Sequence, residues 1–152
     1  FLRQEFRRDS AGSGEFRGGT GIDYEVVISE KAEHSFRGEG LIHPSGYGTN
    51  GGTIGEPGRM TLTFNDGTHI EAPQYGVETY APLKMRALSP GGGGWGNPFD
   101  RDVKHVLRDT RDGIVSPEAA ETVYGVALSA DLRQINLDKT IKLRDQGITA
   151  AT

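Results

Sequence analysis

The stretch Ser89-Pro90-Gly91-Gly92-Gly93-Gly94-Trp95-Gly96-Asn97-Pro98 divides the chain into two parts of different character. Four consecutive glycines are costly to order, so such a run indicates backbone that takes positive φ or lies against something that leaves no room for a Cβ. Prolines fix φ at both ends, and Trp95 is the one large apolar side chain in the loop. We therefore expect a flexible loop held at three points, with short strands before it and helices after it.

Alternation of apolar and polar residues predicts about six short strands before the glycine run. Asp66-Gly67 supplies the two positive-φ positions of a type I′ hairpin between two of them. Closely spaced strands with turn signals favour an antiparallel barrel or sandwich over βαβ units. The predicted strands cover residues 22–29, 34–43, 59–65, 68–72, 74–81 and 84–88.

Two capped helices are predicted after the glycine run. Asn97 can cap a first helix that has Pro98 at its first position and ends at Gly113. A second helix begins at Ser116-Pro117 and ends at Gly125. The remaining predicted elements are a strand or hairpin over 126–135, a short polar helix over 138–145 followed by Gly147, and a frayed end over 148–152.

These elements predict an α+β fold that is mainly β, in which a barrel or sandwich of short strands precedes two or three short helices. Because the chain begins at Phe1 and carries apolar residues there, we expect a fragment or a processed product. The expected single domain or fragment, 1–152, has a glycine-rich N-terminal loop (1–21), a β-rich part (22–88), the glycine-rich loop (89–98) and a helical C-terminal part (99–152).

Composition excludes several classes of protein. The 152 residues include 23 glycines without the three-residue period of collagen. With 17 basic and 21 acidic residues the net charge is −4, which predicts no nucleic-acid partner, and Arg3, Arg7 and Arg8 are interpreted as a solvated tail rather than a phosphate-binding arm. The absence of cysteine fits a reducing compartment, so a cytoplasmic location is expected. No apolar run approaches the roughly 18 residues of a membrane span.

The residues alone predict no autonomous catalytic site. Gly91, Gly93 and Gly96 match the letters of the dinucleotide fingerprint, but that motif must follow a buried strand and open a crossover helix, which the flanking prolines do not allow. Four dispersed histidines predict no metal site: His34, His43, His69 and His105. Four acids near the first helix are interpreted as capping and solvating groups, with a paired-carboxylate site left open: Asp100, Asp102, Asp109 and Asp112.

Four segments together resemble the hydantoinase B/oxoprolinase family. Residues 9–21, Asp-Ser-Ala-Gly-Ser-Gly-Glu-Phe-Arg-Gly-Gly-Thr-Gly, are similar to its D-S-G-G-x-G-x-[FY]-R-G-G-x-G signature. Residues 89–102 resemble its [TS]-P-G-G-G-G-[YW]-G-[DN]-P-x-x-R-D run. Residues 51–59 resemble its G-G-x-x-G-x-x-G-R segment, and residues 108–126 its closing motif. The segments follow the family order along nearly the whole chain.

The resemblance implies that the chain corresponds to the C-terminal part of much longer proteins. These are subunits or halves of ATP-dependent enzymes that open cyclic amides such as 5-oxoproline, hydantoins and lactams, or that carboxylate ketones. The resemblance places ATP and Mg in a hydantoinase A-type ATPase subunit, and the divalent-metal ligands in the N-terminal part of the B component. We therefore expect a hetero-oligomer with those partners, no cofactor in this segment and no assigned catalytic residue. A non-catalytic structural or assembly subunit is the alternative.

Two sets of residues are the candidates for a structural or functional role. The N-terminal motif of Arg17, Gly18 and Gly19 is expected to pack against the body of the fold, with at least one glycine at positive φ. The glycine-rich loop is expected to contact the missing N-terminal part or the ATPase near a shared active site, with Trp95 as its anchor. The loop candidates are Gly91, Gly92, Gly93, Gly94, Trp95 and Gly96.

Overall fold

The computed structural model describes residues 1–150, and its strands precede its helices. The strands are β1 (Arg3–Phe6), β2 (Ile22–Ile28), β3 (Ala32–Arg37), β4 (Arg59–Phe64), β5 (His69–Glu71), β6 (Tyr75–Tyr80) and β7 (Leu83–Leu88). A 3-10 turn over Pro98–Asp100 leads to the helices α1 (Val103–Arg111), α2 (Pro117–Thr122) and α3 (Leu137–Ala150). In this part of the chain no helix is long and apolar enough to cross a bilayer.

Five strands form the larger sheet, in the order β1-β2-β7-β4-β5, with every neighbouring pair antiparallel. Strands β3 and β6 form a separate antiparallel pair. Neither sheet closes on itself within residues 1–150, so the barrel is not formed. The predicted class, antiparallel sheets followed by three short helices, is confirmed.

The two sheets share an apolar core built from alternate strand residues. Leu62 of β4 and Leu83 of β7 are buried and pack with Phe36 of β3. The rings of Phe36 and Tyr80, on the two paired strands of the small sheet, meet edge to face with centroids 6.3 Å apart. Because successive side chains of a strand point to opposite faces, the alternation that predicts the strands also selects these core residues.

The helices bury a second apolar core. Val106 of α1, Ala120 of α2 and Val126 after α2 are fully buried, and Val115 and Tyr124 complete the cluster. The ring of Tyr124 is the one aromatic side chain among these five, and aromatic rings bury large apolar areas. The chain thus has a sheet core and a helical core, and residues 89–102 connect them.

The first predicted helix is divided in two. Asn97 caps only the 3-10 turn, and Arg101 then takes an extended conformation with φ −60° and ψ 133°. Helix α1 begins separately at Val103, where the carboxylate of Asp102 caps its first turn. The prediction of one continuous helix from Pro98 is therefore wrong, because Asn97 and Asp102 each cap a helical segment of their own.

The later helices agree in part with the sequence. Helix α2 is capped by Ser116 and followed by Gly125 at φ 61°, as predicted. Helix α3 continues through Gly147, which was expected to end it, since one glycine costs a helix interior only about 1 kcal/mol. A single antiparallel bridge between Leu128 and Ile135 stands in place of the late strand. Of the predicted frayed end, residues 151–152 lie outside the described residues.

The N-terminal residues form a strand that the sequence did not predict. Strand β1 pairs with β2, and a guanidinium nitrogen of Arg3 lies 3.1 Å from a carboxylate oxygen of Asp23. Arg7 donates to the carbonyl oxygens of Pro57 and Ser89 at 2.6 and 3.2 Å. The interpretation as a solvated tail is therefore wrong for Arg3 and Arg7, whereas Arg8 is exposed.

The β4–β5 hairpin uses a different turn from the one predicted. Only Gly67 has a positive φ, 86°, and Asp66 does not. The amide of Phe64 donates to the carbonyl of Thr68 at 2.8 Å, and the amide of Gly67 donates back to Phe64 at 3.0 Å. This is a three-residue loop with one left-handed glycine, a common alternative to the type I′ turn.

Candidate functional site

Three loop segments are joined by backbone hydrogen bonds, and the glycine strip, residues 91–96, bonds to the other two. The N-terminal loop, residues 7–21, donates the amide of Gly12 to the carbonyl of Gly92 at 2.8 Å. The middle loop, residues 44–58, accepts the amide of Gly94 at the carbonyl of Thr53, at 2.9 Å. The two outer loops also bond each other, since the amide of Thr53 donates to Ser13 at 2.8 Å. The strip therefore lies within the fold.

Close approach of backbones is the reason for glycine along the strip. A Cβ on Gly91 would overlap the carbonyl oxygen of Ser10, and one on Gly94 would overlap that of Ser13. A Cβ on Gly93 would overlap the carbonyl of Tyr47 in the middle loop. The first four strip glycines do not have positive φ. The backbone of the same chain thus occupies the space that the sequence analysis assigned to a partner or a ligand.

The strip is accordingly a packed internal element, and the expectation of a flexible loop is wrong. Its one large side chain does reach the surface, since Trp95 is 45% exposed. Trp95 pairs through its backbone with Phe16, and their rings lie 5.6 Å apart. Phe16 is 61% exposed, so the two residues form an aromatic patch on the surface.

A buried carboxylate holds two arginines beside the strip. Asp109 of α1 is 2% exposed, and Arg17 donates Nε–H and Nη2–H to its two oxygens at 2.8 and 3.2 Å. Arg101 donates to the same carboxylate at 2.8 Å and to the carbonyl of Glu15 at 2.8 Å. Planar guanidinium groups suit such two-pronged pairing. This cluster ties the N-terminal loop to α1 and to the segment after the strip.

The charge state of Asp109 follows from these contacts. Burial opposes ionisation of the carboxyl, but hydrogen bonds from Arg17 and Arg101 outweigh it and hold the pKa of Asp109 below its ordinary value. The group is therefore an anion near neutral pH. Its interpretation as a capping or solvating acid is wrong, whereas Asp102 does cap α1 and Asp112 ends it.

The N-terminal motif packs as expected, with one difference. Arg17 enters the buried cluster, and a Cβ on Gly18 would overlap the carbonyl of Gly92. Gly19 accepts the amide of Gly92 at 2.9 Å, and its own Cβ position is open. Neither glycine has a positive φ, so that part of the prediction is wrong. Gly18 is required by close packing rather than by backbone conformation.

A cleft of about 160 Å³ opens between the N-terminal and middle loops on one side and the region of α2 on the other. Its apolar wall includes Ile54, Ile114, Val115, Ala119 and Val123. Its polar groups come from Asp9, Ser13, Arg17, Thr53, Glu56 and Tyr124. A concave site with an apolar wall and a few convergent polar groups is the usual form of a small-molecule site. We therefore take this cleft as the candidate functional site.

Hydroxyl groups supply hydrogen-bond donors to the cleft. The hydroxyls of Ser13 and Thr53 lie 3.0 Å apart, and the Thr53 oxygen also accepts the Ser13 amide at 2.7 Å. Only one of the two hydroxyl hydrogens can lie between them, so the other is free to donate to a ligand. Tyr124 is 3% exposed, and its hydroxyl makes no hydrogen bond to the described residues. Burial raises the pKa of Tyr124, which keeps the phenol protonated as a donor.

Metal binding finds no support in this part of the molecule. Among the described residues no three His, Asp or Glu side chains come together as a set of metal ligands. His34, for example, stacks on Phe36 at 6.1 Å and meets Tyr80 at 5.7 Å, as a residue of the sheet region. The described residues therefore do not form a binding site for the divalent metal that the resemblance implies.

Neither the cleft nor the buried cluster was predicted from the sequence. One signal was present, because Val106 and Thr110 lie on the buried face of α1 and Asp109 adjoins that face. An acid at such a position needs a cationic partner, and charges are almost never buried unpaired. The partners could not be read from spacing, because Arg17 lies in another segment. The cleft likewise forms only where three distant segments meet.

The chain is similar to subunits of several longer proteins. The family model for hydantoinase B/oxoprolinase matches residues 1–98. The chain is 29% identical over 147 residues to the B component of a putative D-/L-hydantoinase from Pseudomonas sp. (strain NS671), covering 93% of this chain and 24% of that protein. It is 34% identical over 137 residues to the beta subunit of the caprolactamase from Pseudomonas jessenii, covering 85% of this chain and 23% of that protein.

Solved structures show the same relationship. The ATP-dependent caprolactamase from Pseudomonas jessenii superposes with a TM-score of 0.73 and 31% identity, covering 95% of this chain and 26% of that chain. A nucleotide-free acetone carboxylase shares the fold, with a TM-score of 0.74 and 21% identity over 99% of this chain and 25% of that chain. The chain spans about a quarter of the length of the relatives it matches. Because the family model matches residues 1–98, the chain belongs to the hydantoinase B/oxoprolinase family.

Proposed function

We propose that the chain is the C-terminal part of a hydantoinase B-type component of an ATP-dependent enzyme that hydrolyses a cyclic amide such as a lactam or a hydantoin. One observation carries the proposal: similarity to the ATP-dependent caprolactamase covers 95% of the chain at 31% identity. Only about 5% of the chain therefore lies outside the similarity. A fold-level likeness alone would not support a reaction.

The proposal divides the chemistry between this chain and its partners. ATP and Mg would be bound by a hydantoinase A-type ATPase subunit, and the divalent metal by the N-terminal part of the B component. This chain would supply a rigid frame, built on the strip, and the wall of a small cleft. The assembly would be a hetero-oligomer, as subunit names among the relatives favour. Location in the cytoplasm stays a prediction.

The aromatic patch of Phe16 and Trp95 is the proposed contact with a partner. Both rings are exposed next to backbone that is fixed by hydrogen bonds on two sides. A rigid aromatic residue loses little entropy on docking, which is why such residues dominate binding energy at interfaces. The patch lies at the end of the strip, so a partner docked there would contact the part of the molecule that also forms one side of the cleft.

Ketone carboxylation is the second candidate function. Its support is the shared fold with acetone carboxylase, at 21% identity, compared with 31% for the caprolactamase. A purely structural subunit is the third alternative, and the dense packing of the strip is compatible with it. The lactam or hydantoin reaction is preferred because the more identical structure is a lactamase.

Turnover by the assembled protein tests the proposal. The protein that contains this chain, purified with its ATPase partner, is incubated with caprolactam, hydantoin or 5-oxoproline, with and without ATP. Mass spectrometry is expected to detect the ring-opened product together with ADP only when ATP is present. Consumption of acetone or acetophenone that requires bicarbonate, without ring opening, would favour the carboxylase instead. If no substrate is converted in the presence of ATP, both proposed reactions are wrong. A structural subunit is then the remaining candidate function.

A further inference from the structure

We infer that the cleft between the N-terminal loop, the middle loop and α2 binds an uncharged cyclic amide and discriminates against a ring that carries a carboxylate. This inference rests on the proposed function, and it selects among the substrates that the function leaves open. Lactams and hydantoins without an acidic substituent belong to the accepted class. 5-Oxoproline, which is an anion near neutral pH, belongs to the rejected one.

The charges around the cleft carry the discrimination. Arg17 lines the cleft, but it is paired with the buried Asp109, which it shares with Arg101. The two arginines and Asp109 together carry one net positive charge. The lining carboxylates of Asp9 and Glu56 carry two negative charges, so the cleft is negative on balance. A carboxylate on a ligand would therefore enter a site that is already negative, and repulsion between like charges disfavours it.

The two lining carboxylates are also free to accept hydrogen bonds. Asp9 uses one oxygen to accept the amide of Ser116 at 2.8 Å, which fixes its side chain beside the start of α2. The other oxygen of Asp9 has no partner among the described residues. The carboxylate of Glu56 likewise has none there, and its backbone is held by the bond from its amide to the carbonyl of Ser10 at 2.9 Å. Acceptors are thus available for the N–H of an amide ring.

Donors face the same space. The free hydroxyl hydrogen of the Ser13 and Thr53 pair and the phenol of Tyr124 can both donate to a carbonyl oxygen. An amide ring combines one N–H and one C=O, so it can use an acceptor and a donor of the cleft at once. A hydrocarbon ring of similar size would displace water from these groups without replacing its hydrogen bonds, which lowers affinity.

Size and apolar wall limit the ligand further. A volume of about 160 Å³ is below the roughly 300 to 1,000 Å³ of pockets for drug-sized ligands, which favours a small ring over a large ligand. Ile54, Ile114 and Val123 line the cleft and can contact the methylene groups of such a ring. The cleft is thus suited to the amide and the hydrocarbon parts of a lactam together.

Binding to the native, assembled protein tests the inference directly. Calorimetry or ligand-observed NMR without ATP measures the dissociation constants of caprolactam and 5-oxoproline. Caprolactam is expected to bind at least about tenfold more tightly. Equal or tighter binding of 5-oxoproline would overturn the inference, and so would the absence of caprolactam binding in a preparation that still opens its ring with ATP. In that second case the proposed function would stand without this cleft.

Two variants assign the binding to the cleft. Glu56→Gln removes one negative charge with little change of shape, and it is expected to strengthen 5-oxoproline binding about threefold while caprolactam changes less than twofold. Tyr124→Phe removes only the hydroxyl, and it is expected to weaken caprolactam binding about three- to tenfold, the range of one hydrogen bond. The control is Glu78→Gln, an exposed acid on β6 outside the cleft lining. If Glu56→Gln and Glu78→Gln have the same effect, or if Tyr124→Phe leaves binding unchanged, the inference is wrong.

Discussion

Arg17 and Asp109 are 92 positions apart in the chain and form a two-pronged ion pair, with Nε and Nη2 of the arginine 2.8 and 3.2 Å from the two carboxylate oxygens. Arg101, in the segment after the glycine strip, donates to one of those oxygens at 2.8 Å. A single buried acid thus joins the N-terminal loop, the segment after the glycine strip and α1. The candidate cleft lies directly beside this junction, because Arg17 also lines it.

Replacement of the buried acid is the first prediction. Asp109→Asn keeps the size of the side chain but turns one acceptor into an N–H₂ group that faces the guanidinium groups of Arg17 and Arg101. The buried Arg101 and the partly buried Arg17 would then lack their counterion, and removal of one partner from a buried ion pair costs about 3 kcal/mol or more. We expect urea denaturation to show a loss of that size. A loss below about 1 kcal/mol would contradict the assigned role of this carboxylate.

The pH dependence of stability is the second prediction. The folded-state pKa of Asp109 lies below its unfolded value of about 3.9, because hydrogen bonds from Arg17 and Arg101 outweigh burial. Its contribution to the free energy of unfolding is therefore complete above that value and is lost as pH falls through the folded pKa. The difference in stability between the natural protein and Asp109→Asn should be constant from pH 7 to about 5 and shrink below about 4. Other acids titrate there too, so the difference between the two proteins is the relevant measurement.

Gly93 and Gly19 give a matched pair for the third prediction. A Cβ at Gly93 would overlap the backbone of Tyr47, whereas one at Gly19 meets nothing within 4 Å. Gly93→Ala is therefore expected to lower the free energy of unfolding by about 2 kcal/mol or more, as overpacking does, and Gly19→Ala by less than about 0.5 kcal/mol. Thermal denaturation of both variants measures the difference. Similar melting temperatures for the two would mean that the strip is not packed as described.

Much of the fold follows from local patterns, because each signal is complete within a few residues. Strand β2 was predicted from the alternation of Ile22–Ile28, and α2 from Ser116 followed by proline. Strand β1 has only four residues, and its residues Arg3–Phe6 show no alternation that would mark a buried face. It forms because β2 offers a free edge to pair with. Such an edge is a property of the assembled sheet and is not visible in either segment alone.

The glycine run shows where local reasoning ends. Its composition correctly indicates backbone with no room for a Cβ, yet the run itself does not say which backbone occupies that space. That space is occupied by the backbone of two loops, at Ser10 in the N-terminal loop and at Tyr47 in the middle loop. The cleft has the same origin, since Asp9, Thr53 and Tyr124 come from three separate segments. Its residues could be assigned only after those segments were placed together.

Arg7 and Arg8, neighbours in sequence, give the fourth prediction. Arg7 is half-buried and donates to the carbonyls of Pro57 and Ser89, so it joins the middle loop to the residue before the strip. Arg8 is exposed and donates only to the carbonyl of Gly113, at 3.2 Å. Arg7→Ala should lower stability by about 1 to 2 kcal/mol, because charge-assisted hydrogen bonds are lost, and Arg8→Ala by less than about 0.5 kcal/mol. Chemical denaturation of the two variants side by side checks this, and a larger effect at Arg8 would contradict it.

The proposed partner contact at Trp95 gives the last prediction. Trp95→Ala removes an exposed ring but keeps the backbone pairing with Phe16, so the melting temperature should change little. If the ring is an anchor in the assembled enzyme, its loss should weaken subunit association by about 2 kcal/mol, or roughly 30-fold in dissociation constant. Tyr75→Ala is the control, because Tyr75 is 52% exposed on the small sheet, away from the strip. Analytical ultracentrifugation of the two mutant complexes should show dissociation for Trp95→Ala alone, and equal association of both would exclude Trp95 as the anchor.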